Sequence, residues 1–510
     1  MQHYYVIILV LKFQVFGEKM KKIIITMLIL TFAGLEGMQA HAFLRSGVSK
    51  NTQEESQKKA DKDVYTQIKK QKDIPYKKLK VVNKYEYINM PWWEGFNDSY
   101  LTGYINKAME HNYDLKMATL TVDEYFQSVK LQMAGEMPQI QGGLGYGVAG
   151  LPKLPQIPQL SQLPILKDRT VHGFGVPILA SYEADIFLKN HDKTKSQKKV
   201  YEASISDERA AYISIVSAVG TVYYNIVRLD KMITLQEDIV DLRKNIYELM
   251  SLSHENGITS TSDVIKANKS YIAGQSDLVD LKRQRKELLN QLAVLIGDSP
   301  ANVDEYERIS FDNINYKYNI PDEVISDIIM QRPDYHKAEV MLKKAGIDVR
   351  IAKKEFLPTI NLSGLALFGA KDLGKIFTTN NAIWSLGGSA MLPLFTGGAR
   401  IANLKMSKVR LEKALRNYQK TNLVAIQEVN DSLYAAKMDN KKLEQNKEHL
   451  KLESQDFGLT EKKYEQGVIS KLDLCQMKEN LLTIEKLVAS NTLDCMIDEI
   501  NIYKATGTKY

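Results

Sequence analysis

The sequence predicts a mixed fold, a membrane β-barrel plus a long α-helical barrel, built from two copies of one unit and closed by several chains. Three observations lead to this fold class: an internal duplication, two proline-free spans with a helical pattern, and four stretches of alternating residues typical of strands. The chain has 510 residues, a net charge of +7 and 25% charged residues. This composition fits an extended and well-solvated surface.

The duplication is visible first near the predicted start of each copy. The stretch 112–118 (Asn-Tyr-Asp-Leu-Lys-Met-Ala) reappears 220 positions later as 332–338 (Arg-Pro-Asp-Tyr-His-Lys-Ala), and the same offset places Pro138 on Pro358. A period near 200 residues is too long for a solenoid, so it indicates a duplicated module with internal pseudosymmetry.

A second pair of matching segments lies at the predicted turns. His-Glu-Asn-Gly at 254–257 returns 210 positions later as Tyr-Glu-Gln-Gly at 464–467. The predicted organisation is a first repeat at 91–300, a linker in the equatorial region at 301–321 and a second repeat at 322–510.

The N-terminal segment has the features of a secretory signal. Residues 20–42 have its charged start, short apolar core and small-residue ending, so 1–42 is predicted to be a targeting segment. Residues 1–19 are either an extra targeting element or lie upstream of a true start at Met20. A polar, lysine-rich leader follows at 43–90, and no cysteine after the apolar core offers a lipid anchor. Beyond the signal no apolar run approaches the roughly 18–20 residues of a membrane-spanning helix, so strands are predicted to make any membrane crossing.

Two spans, 178–299 and 394–510, contain no proline and carry apolar residues at helical spacing. One strong turn signal interrupts each span, Asn256-Gly257 in the first and Gln466-Gly467 in the second. The sequence therefore predicts two helical hairpins, at 188–297 and at 397–506.

The two arms of each predicted hairpin differ in length. The first arm would be about 100 Å long at 1.5 Å per residue, far longer than a globular domain needs. The second arm has about half that length. A separate predicted helix, at 98–137 in the first copy and 322–357 in the second, has the length to complete it. We therefore expect a tall antiparallel array of helices.

Four stretches alternate apolar residues with small or polar ones, as strands of a membrane barrel do. They begin near Ile140, Phe174, Ile360 and Trp384, and each is about long enough to cross a bilayer. The alternative is a small soluble sheet, but such a sheet would leave two edges exposed. Because four strands cannot close a barrel, several chains must contribute. The predicted β-hairpins span 139–187 and 359–395.

Motifs for chemistry are weak or missing. The glycines from Gly145 to Gly150 fit the pattern G-x-G-x-x-G, but they lead into a proline-rich loop and not into a helix. The eight histidines form no H-E-x-x-H motif and no Cys/His cluster, and the basic residues alternate with acidic ones. We expect no catalytic residue, cofactor, metal site or nucleic-acid partner. Cys475 and Cys495 lie about 30 Å apart on one predicted helix, too far to form a disulfide.

Four groups of residues follow one another at distances that point to a known family: Trp92-Trp93 with Asp98 and Asn112, Arg332-Pro333-Asp334, Leu392-Pro393 with Gly397-Gly398, and Tyr464 to Gly467 with Asp473. With these residues the chain resembles the TolC/OprM-type outer-membrane efflux proteins, in the NodT-like branch of RND-type tripartite drug efflux. The resemblance implies a homotrimer with a shared twelve-stranded barrel in outer-membrane lipid and a periplasmic tunnel of twelve helices. It also implies two partners, a periplasmic adaptor protein and an inner-membrane RND or ABC transporter.

The candidate site lies at the hairpin turns, which are farthest from the membrane. In the resembled family, acidic residues after each turn form rings that attract cations and link pairs of helices at the constriction of the tunnel, and Asp263 and Asp473 match the first acidic position of this periplasmic gate. The second position holds Lys266 and Gln476, so this chain departs from a double acidic ring. The alternative for either aspartate is an ordinary charge at a helix N-terminus, favoured by the helix dipole. The turn residues expected to contact the adaptor are Asn256, Gly257, Ile258, Gln466, Gly467 and Val468.

The sequence thus predicts a passive exit duct that carries drugs or other small toxic compounds across the outer membrane. One alternative is the outer-membrane component of a type I protein secretion system, which shares the fold. A surface coiled-coil interaction protein is the alternative from another class. The duplication argues against it, because a stalk has no need of two matched strand hairpins.

Overall fold

The computed structural model describes residues 92–150, 170–318, 320, 330–377 and 382–507. The predicted targeting segment at 1–42, the leader at 43–90 and the proline-rich loop at 151–169 lie outside the described residues. So do residues 321–329, where the helix predicted at 322–357 would begin.

Seven α-helices occur among the described residues: α1 (Ser99–His111), α2 (Tyr113–Ala134), α3 (Lys189–Glu255), α4 (Thr261–Leu295), α5 (Pro333–Lys354), α6 (Ala399–Glu465) and α7 (Lys471–Thr506). Both long helices, α3 and α6, have 67 residues, which corresponds to about 100 Å. The hairpins α3–α4 and α6–α7 agree with the predicted ranges to within two residues at each end.

The helix predicted as one piece at 98–137 is in fact two, because Asn112 interrupts it. The backbone N–H of Leu115 donates to Oδ1 of Asn112 at 3.0 Å, so this side chain caps the start of α2. Its Nδ2 donates to the carbonyl oxygen of Leu295 at the end of α4, at 2.8 Å. The asparagine therefore ends one helix, begins the next and ties both to a distant helix end.

The helices lie side by side in one array. In the half of the array near the turns, the helices contact one another in the order α6–α7–α3–α4. In the other half, the order is α6–α5–α3–α2. Thus α6 forms one edge of the array, and α2 with α4 forms the other. The largest apolar core of the array lies where α1, α3, α4 and α7 meet, around residues that include Leu101, Tyr223, Leu292 and Ile500.

One feature of α3 departs from the sequence analysis, which expects no helix apolar enough to cross a membrane. A window of 18 residues in this helix has a mean hydropathy of 1.4, which is sufficient by length and composition alone. Half of that window is buried within the chain. The helix also supplies Val216, Tyr223 and Ile226 to the core. Packing inside the helix array therefore accounts for its apolar character.

The sheet contains β1 (Gln139–Gly142), β2 (Gly145–Gly150), β3 (Thr170–Ala184), β4 (Thr359–Ala370) and β5 (Ala382–Met391). All pairs are antiparallel, and both β1 and β2 pair with β3, which pairs with β4, which pairs with β5. The two predicted β-hairpins are therefore joined to each other through β3 and β4.

Five strand segments stand where four strands were predicted, because the first is interrupted. The segments β1 and β2 keep one register along β3, with Gly142 opposite Ile178 and Gly145 opposite Gly175. Between them, Gly143 donates to the carbonyl oxygen of Pro177 at 3.1 Å. Proline has no N–H to return the second hydrogen bond of the pair. The ladder is interrupted there without any change of register.

The compact units of the structure cut across the two repeats predicted from the sequence. Residues Gly135–Ile186 and Pro358–Pro393, which hold the strands, belong to one unit, and the described helices belong to the other. Each sequence repeat contributes a strand hairpin to the first unit and helices to the second.

Candidate functional site at the hairpin turns

Both hairpin turns are built on the same hydrogen-bonding pattern. At the end of α3, Gly257 has a φ of 71° and donates to the carbonyl oxygen of His254 at 2.8 Å, while Ile258 donates to that of Ser253 at 2.9 Å. This is a Schellman motif, whose left-handed position favours glycine.

The turn at the end of α6 repeats this geometry. Gly467 also has a φ of 71° and donates to Tyr464 at 2.9 Å, and Val468 donates to Lys463 at 2.9 Å. The two capping residues before the glycines, Asn256 and Gln466, end their helices in the same way, with backbone N–H groups that donate four residues back.

Each turn presents one exposed apolar side chain. Ile258 is 80% exposed and Val468 is 68% exposed. In many Schellman motifs the residue at this position packs on its own helix, but here both side chains remain in solvent within the chain. The turns thus hold two apolar side chains at matching positions on backbones with the same hydrogen-bonding pattern.

Asp263 and Asp473 both lie in the first turn of a helix and bind its N-terminus. Ser260 and Ser470 are the N-cap residues, and each hydroxyl accepts a hydrogen bond from the backbone N–H of the aspartate three residues later. The carboxylate of Asp473 also accepts from the backbone N–H of Ser470 at 3.1 Å, which completes a capping box. Both aspartates thus lie at helix N-termini, in agreement with the alternative interpretation of their sequence positions, and the capping box is complete at Asp473.

The two aspartates differ in their neighbours. The Ser260 hydroxyl and then Lys266, whose Nζ lies 3.2 Å from the carboxylate, hold the pKa of Asp263 below its usual range. The equivalent neighbour of Asp473 is Gln476, which carries no charge. Among the described residues no lysine or arginine is paired with Asp473, so no basic side chain offsets its negative charge.

Sequence reasoning missed the contacts that join the two hairpins above the turns. Nε and Nη2 of Arg243 on α3 donate to Oε1 of Glu479 on α7 at 2.9 and 2.7 Å. Its Nη1 donates to the carbonyl oxygen of Ser270 on α4 at 3.1 Å. One guanidinium thus connects three helices of the array.

A second polar contact joins the same three helices farther from the turns. Gln236 on α3 accepts from Lys486 on α7 at 2.7 Å and donates to the carbonyl oxygen of Gly274 on α4 at 3.0 Å. Burial lowers the pKa of Lys486. Charged residues are common along helices that pack in arrays, so nothing in the sequence distinguishes these partners.

Exposed apolar side chains mark the two edges of the helix array. Ile265, Ile272 and Val279 are exposed on α4 at intervals of seven residues, and Leu452 and Leu459 are exposed on α6 at the same interval. An interval of seven places side chains on one seam of a helix. The two edges are different surfaces, so the α6 edge of one copy is covered by the α2 and α4 edge of the next copy. Such head-to-tail contacts between copies close into a ring.

The chain matches the family described as "Outer membrane efflux protein" over residues 104–298 and 324–508. Similar proteins include the toluene efflux pump outer membrane protein TtgC of Pseudomonas putida, 27% identical over 417 residues, or 82% of this chain and 84% of the relative. The cation efflux system protein CusC of Escherichia coli is 24% identical over 424 residues, or 82% of this chain and 89% of the relative.

Solved structures show the same fold. The CmeC outer membrane channel of Campylobacter jejuni matches with a TM-score of 0.73 at 22% identity, covering 82% of this chain and 87% of that channel. The open state of the MtrE outer membrane channel of Neisseria gonorrhoeae matches with a TM-score of 0.70 at 24% identity, covering 81% and 89%. The predicted fold class is confirmed: a membrane β-barrel and a long helical barrel that close as a homotrimer. With both repeats matched over most of their length, this outer-membrane chain belongs to the outer membrane efflux protein family.

Proposed function

We propose that the homotrimer is the passive exit duct for small toxic organic compounds, which it receives from a periplasmic adaptor and an inner-membrane RND-type transporter. The observation that carries the proposal is the matched pair of turns, each with one exposed apolar side chain, Ile258 or Val468. Three chains present six such side chains. They form a repeated apolar surface at the ends of the helical hairpins for an adaptor to contact.

The names of similar proteins support organic cargo. Relatives of 25–27% identity that align with 81–82% of this chain are named for the efflux of toluene, antibiotics or solvents. Relatives of 24% identity are named for cation efflux. We infer that this chain carries organic compounds.

Efflux is tested in cells that lack the gene for this chain. Restoring the chain should lower the accumulation of a toxic organic compound and raise the concentration that stops growth. A cation such as copper or silver serves as the comparison cargo. If restoration protects only against the cation, or restores only the secretion of a protein, the proposed cargo is wrong.

Contact with the adaptor is tested by site-directed crosslinking from the turns. Ile258→Cys and Val468→Cys place exposed thiols there, while the native Cys475 and Cys495 are buried and free, so they should not react in the folded trimer. Lys451→Cys, at an exposed position of α6 away from the turn, is the control. We expect adaptor crosslinks from both turns and none from the control. Equal crosslinking from all three positions would contradict contact at the turns.

We also propose that the uncompensated Asp473 dominates the electric field at the inner opening of the tunnel. Three copies of each aspartate would surround one narrow passage, where like charges favour the binding of cations. Lys266 offsets the charge of Asp263 in each copy, whereas Gln476 leaves that of Asp473 in place.

A further inference from the structure

Three aspartates meet where α6 packs against α7, far from the hairpin turns. Asp439 is on α6, and Asp494 and Asp498 lie one turn apart on α7. Ala436 of α6 and Ile502 of α7 pack in one apolar cluster, so the antiparallel register of the two helices places Asp439 opposite Asp498. The carboxyl group of Asp498 interacts there with that of Asp439 and with Asn501. The Oδ2 atom of Asp498 is buried and has no hydrogen-bond partner among the described residues.

The positive charges near this cluster act on Asp494 and not on Asp498. Arg228 on α3 donates to Asp494 at 2.7 Å, and Lys442 on α6 acts on Asp494 as well. The charge of Lys447 on α6 acts to lower the pKa of the Cys495 thiol, next to Asp494 in the sequence. No cation is paired with Asp498 among the described residues.

The remaining titratable and charged groups around Asp498 come from all the surrounding segments. The cleft that Asp498 lines also contains Arg332, which is bound to Asp334 and Glu428. The groups that complete this environment are Tyr316 of the linker, Asp431 of α6, and Glu499 and Lys504 of α7.

Two carboxyl groups in contact form a hydrogen bond only if one of them holds a proton. Burial, followed by the neighbouring Asp439, raises the pKa of Asp498 to about 7. Since this pKa lies above that of an exposed aspartate, the pair stabilises the folded chain in acid. That stability is lost as the pH rises through about 7, where the second carboxylate forms and repels the first.

We propose that Asp439 and Asp498 form a proton-dependent tie between α6 and α7, which releases the edge helix α6 as the pH rises. Among the described helices α6 makes its main contacts with α7 and α5. The same helix also carries the exposed apolar seam at Leu452 and Leu459 and ends at Glu465, next to the hairpin turn. Loss of the tie therefore loosens one edge of every subunit and the helix that leads to one hairpin turn.

Asp498→Asn tests the proposal, because an amide donates to Asp439 at every pH and makes the tie permanent. Asp456→Asn, an exposed aspartate on the same α6, is the matched control. The measurement is hydrogen–deuterium exchange of the α6 segment around Asp439 in the purified trimer, between pH 5.5 and 8.5, corrected for the intrinsic pH dependence of exchange. In the wild type and the control, exchange should be several-fold faster at high pH. In Asp498→Asn that rise should disappear.

A wild-type trimer without this rise, or an Asp498→Asn trimer that retains it, would overturn the proposal. Infrared spectroscopy gives a second readout, since a protonated carboxyl group has its own absorption band. The band should disappear near pH 7 in the wild type and be missing in Asp498→Asn. If the wild type lacks the band at pH 6, the shared proton does not exist. Neither measurement involves cargo or adaptor, so both are independent of the proposed function.

Discussion

The glycines that end α4 and α7 occupy matching positions in the two repeats but have different surroundings. Gly297 has a φ of 76° and Gly507 a φ of 71°. A Cβ atom at Gly297 would lie 2.6 Å from the carbonyl oxygen of His111 and 2.9 Å from its carbonyl carbon. At Gly507 the nearest atoms, in Arg332 and Pro333, would be 3.5 Å away, an ordinary contact. We therefore expect Gly297→Ala to be much more destabilising than Gly507→Ala.

The magnitudes follow from the two geometries. Each alanine must adopt a left-handed backbone, which costs about 1–2 kcal/mol. At position 297 the new methyl group also meets backbone atoms at the end of α1, which cannot rotate away as a side chain can. Forced backbone shifts of this kind cost typically about 1–3 kcal/mol. Gly507→Ala should thus cost about 1–2 kcal/mol and Gly297→Ala about 2–5 kcal/mol per chain.

The assay is chemical unfolding of purified trimers in detergent, followed by the loss of the helical circular dichroism signal. Both variants should unfold at lower denaturant concentrations than the wild type, and Gly297→Ala at the lowest. The comparison between the two variants removes the shared backbone term and leaves the contact with His111. Equal losses in the two variants would refute the reasoning, because they would mean that α1 moves away from Gly297 at no cost.

Three further predictions concern the turns and the helices beside them. Gly467→Val places a β-branched residue at a φ of 71°, so export should fail while trimers still assemble. The control Gly458→Ala lies within α6 with no atom near its new methyl group and should export normally. Full export by Gly467→Val would show that the turn tolerates distortion. Arg243→Gln and Glu479→Gln should each raise the fraction of time that the channel is open in single-channel recordings, because each removes the contact that joins the two hairpins. The double variant should raise this fraction little further, since both changes remove the same contact, with a coupling of about 0.5–3 kcal/mol. Strictly additive effects would contradict direct coupling between the two side chains. Divalent cations added from the periplasmic side should block the channel current, and Asp473→Asn should weaken this block more than Asp263→Asn does, because Lys266 already offsets the charge of Asp263. Equal block of both variants and the wild type would rule out an acidic ring.

The sequence was sufficient for features that depend on neighbouring residues. Both helical hairpins were placed to within two residues at each end, because proline is missing from the helices and a glycine with a left-handed backbone ends each turn. The strands were likewise predicted from a local pattern, the alternation of apolar residues with small or polar ones. Both signals are local and need no knowledge of tertiary contacts.

The features that were missed depend on residues far apart in the chain. Asn112 divides a helix partly because Leu295 offers it a hydrogen-bond acceptor, and the first strand is interrupted because Pro177 lies opposite. The link between Arg243 and Glu479 joins residues 236 positions apart. In the candidate site, the sequence located the turns and both aspartates, but it did not show which hydrogen bonds the aspartates make. Those bonds depend on the orientation of each side chain relative to Ser260 or Ser470.

The unlike edges of the helix array have a genetic consequence. Because α6 of one copy can be covered only by α2 and α4 of another, each ring needs an intact surface of both kinds from every member. A copy with one damaged edge still joins a neighbour through its other edge and leaves that ring open. When intact and damaged copies are made in equal amounts and mix freely, only about one ring in eight contains three intact copies. Mutations on the α6 seam at Leu452 or Leu459 would therefore act dominantly in a cell that also makes the intact chain.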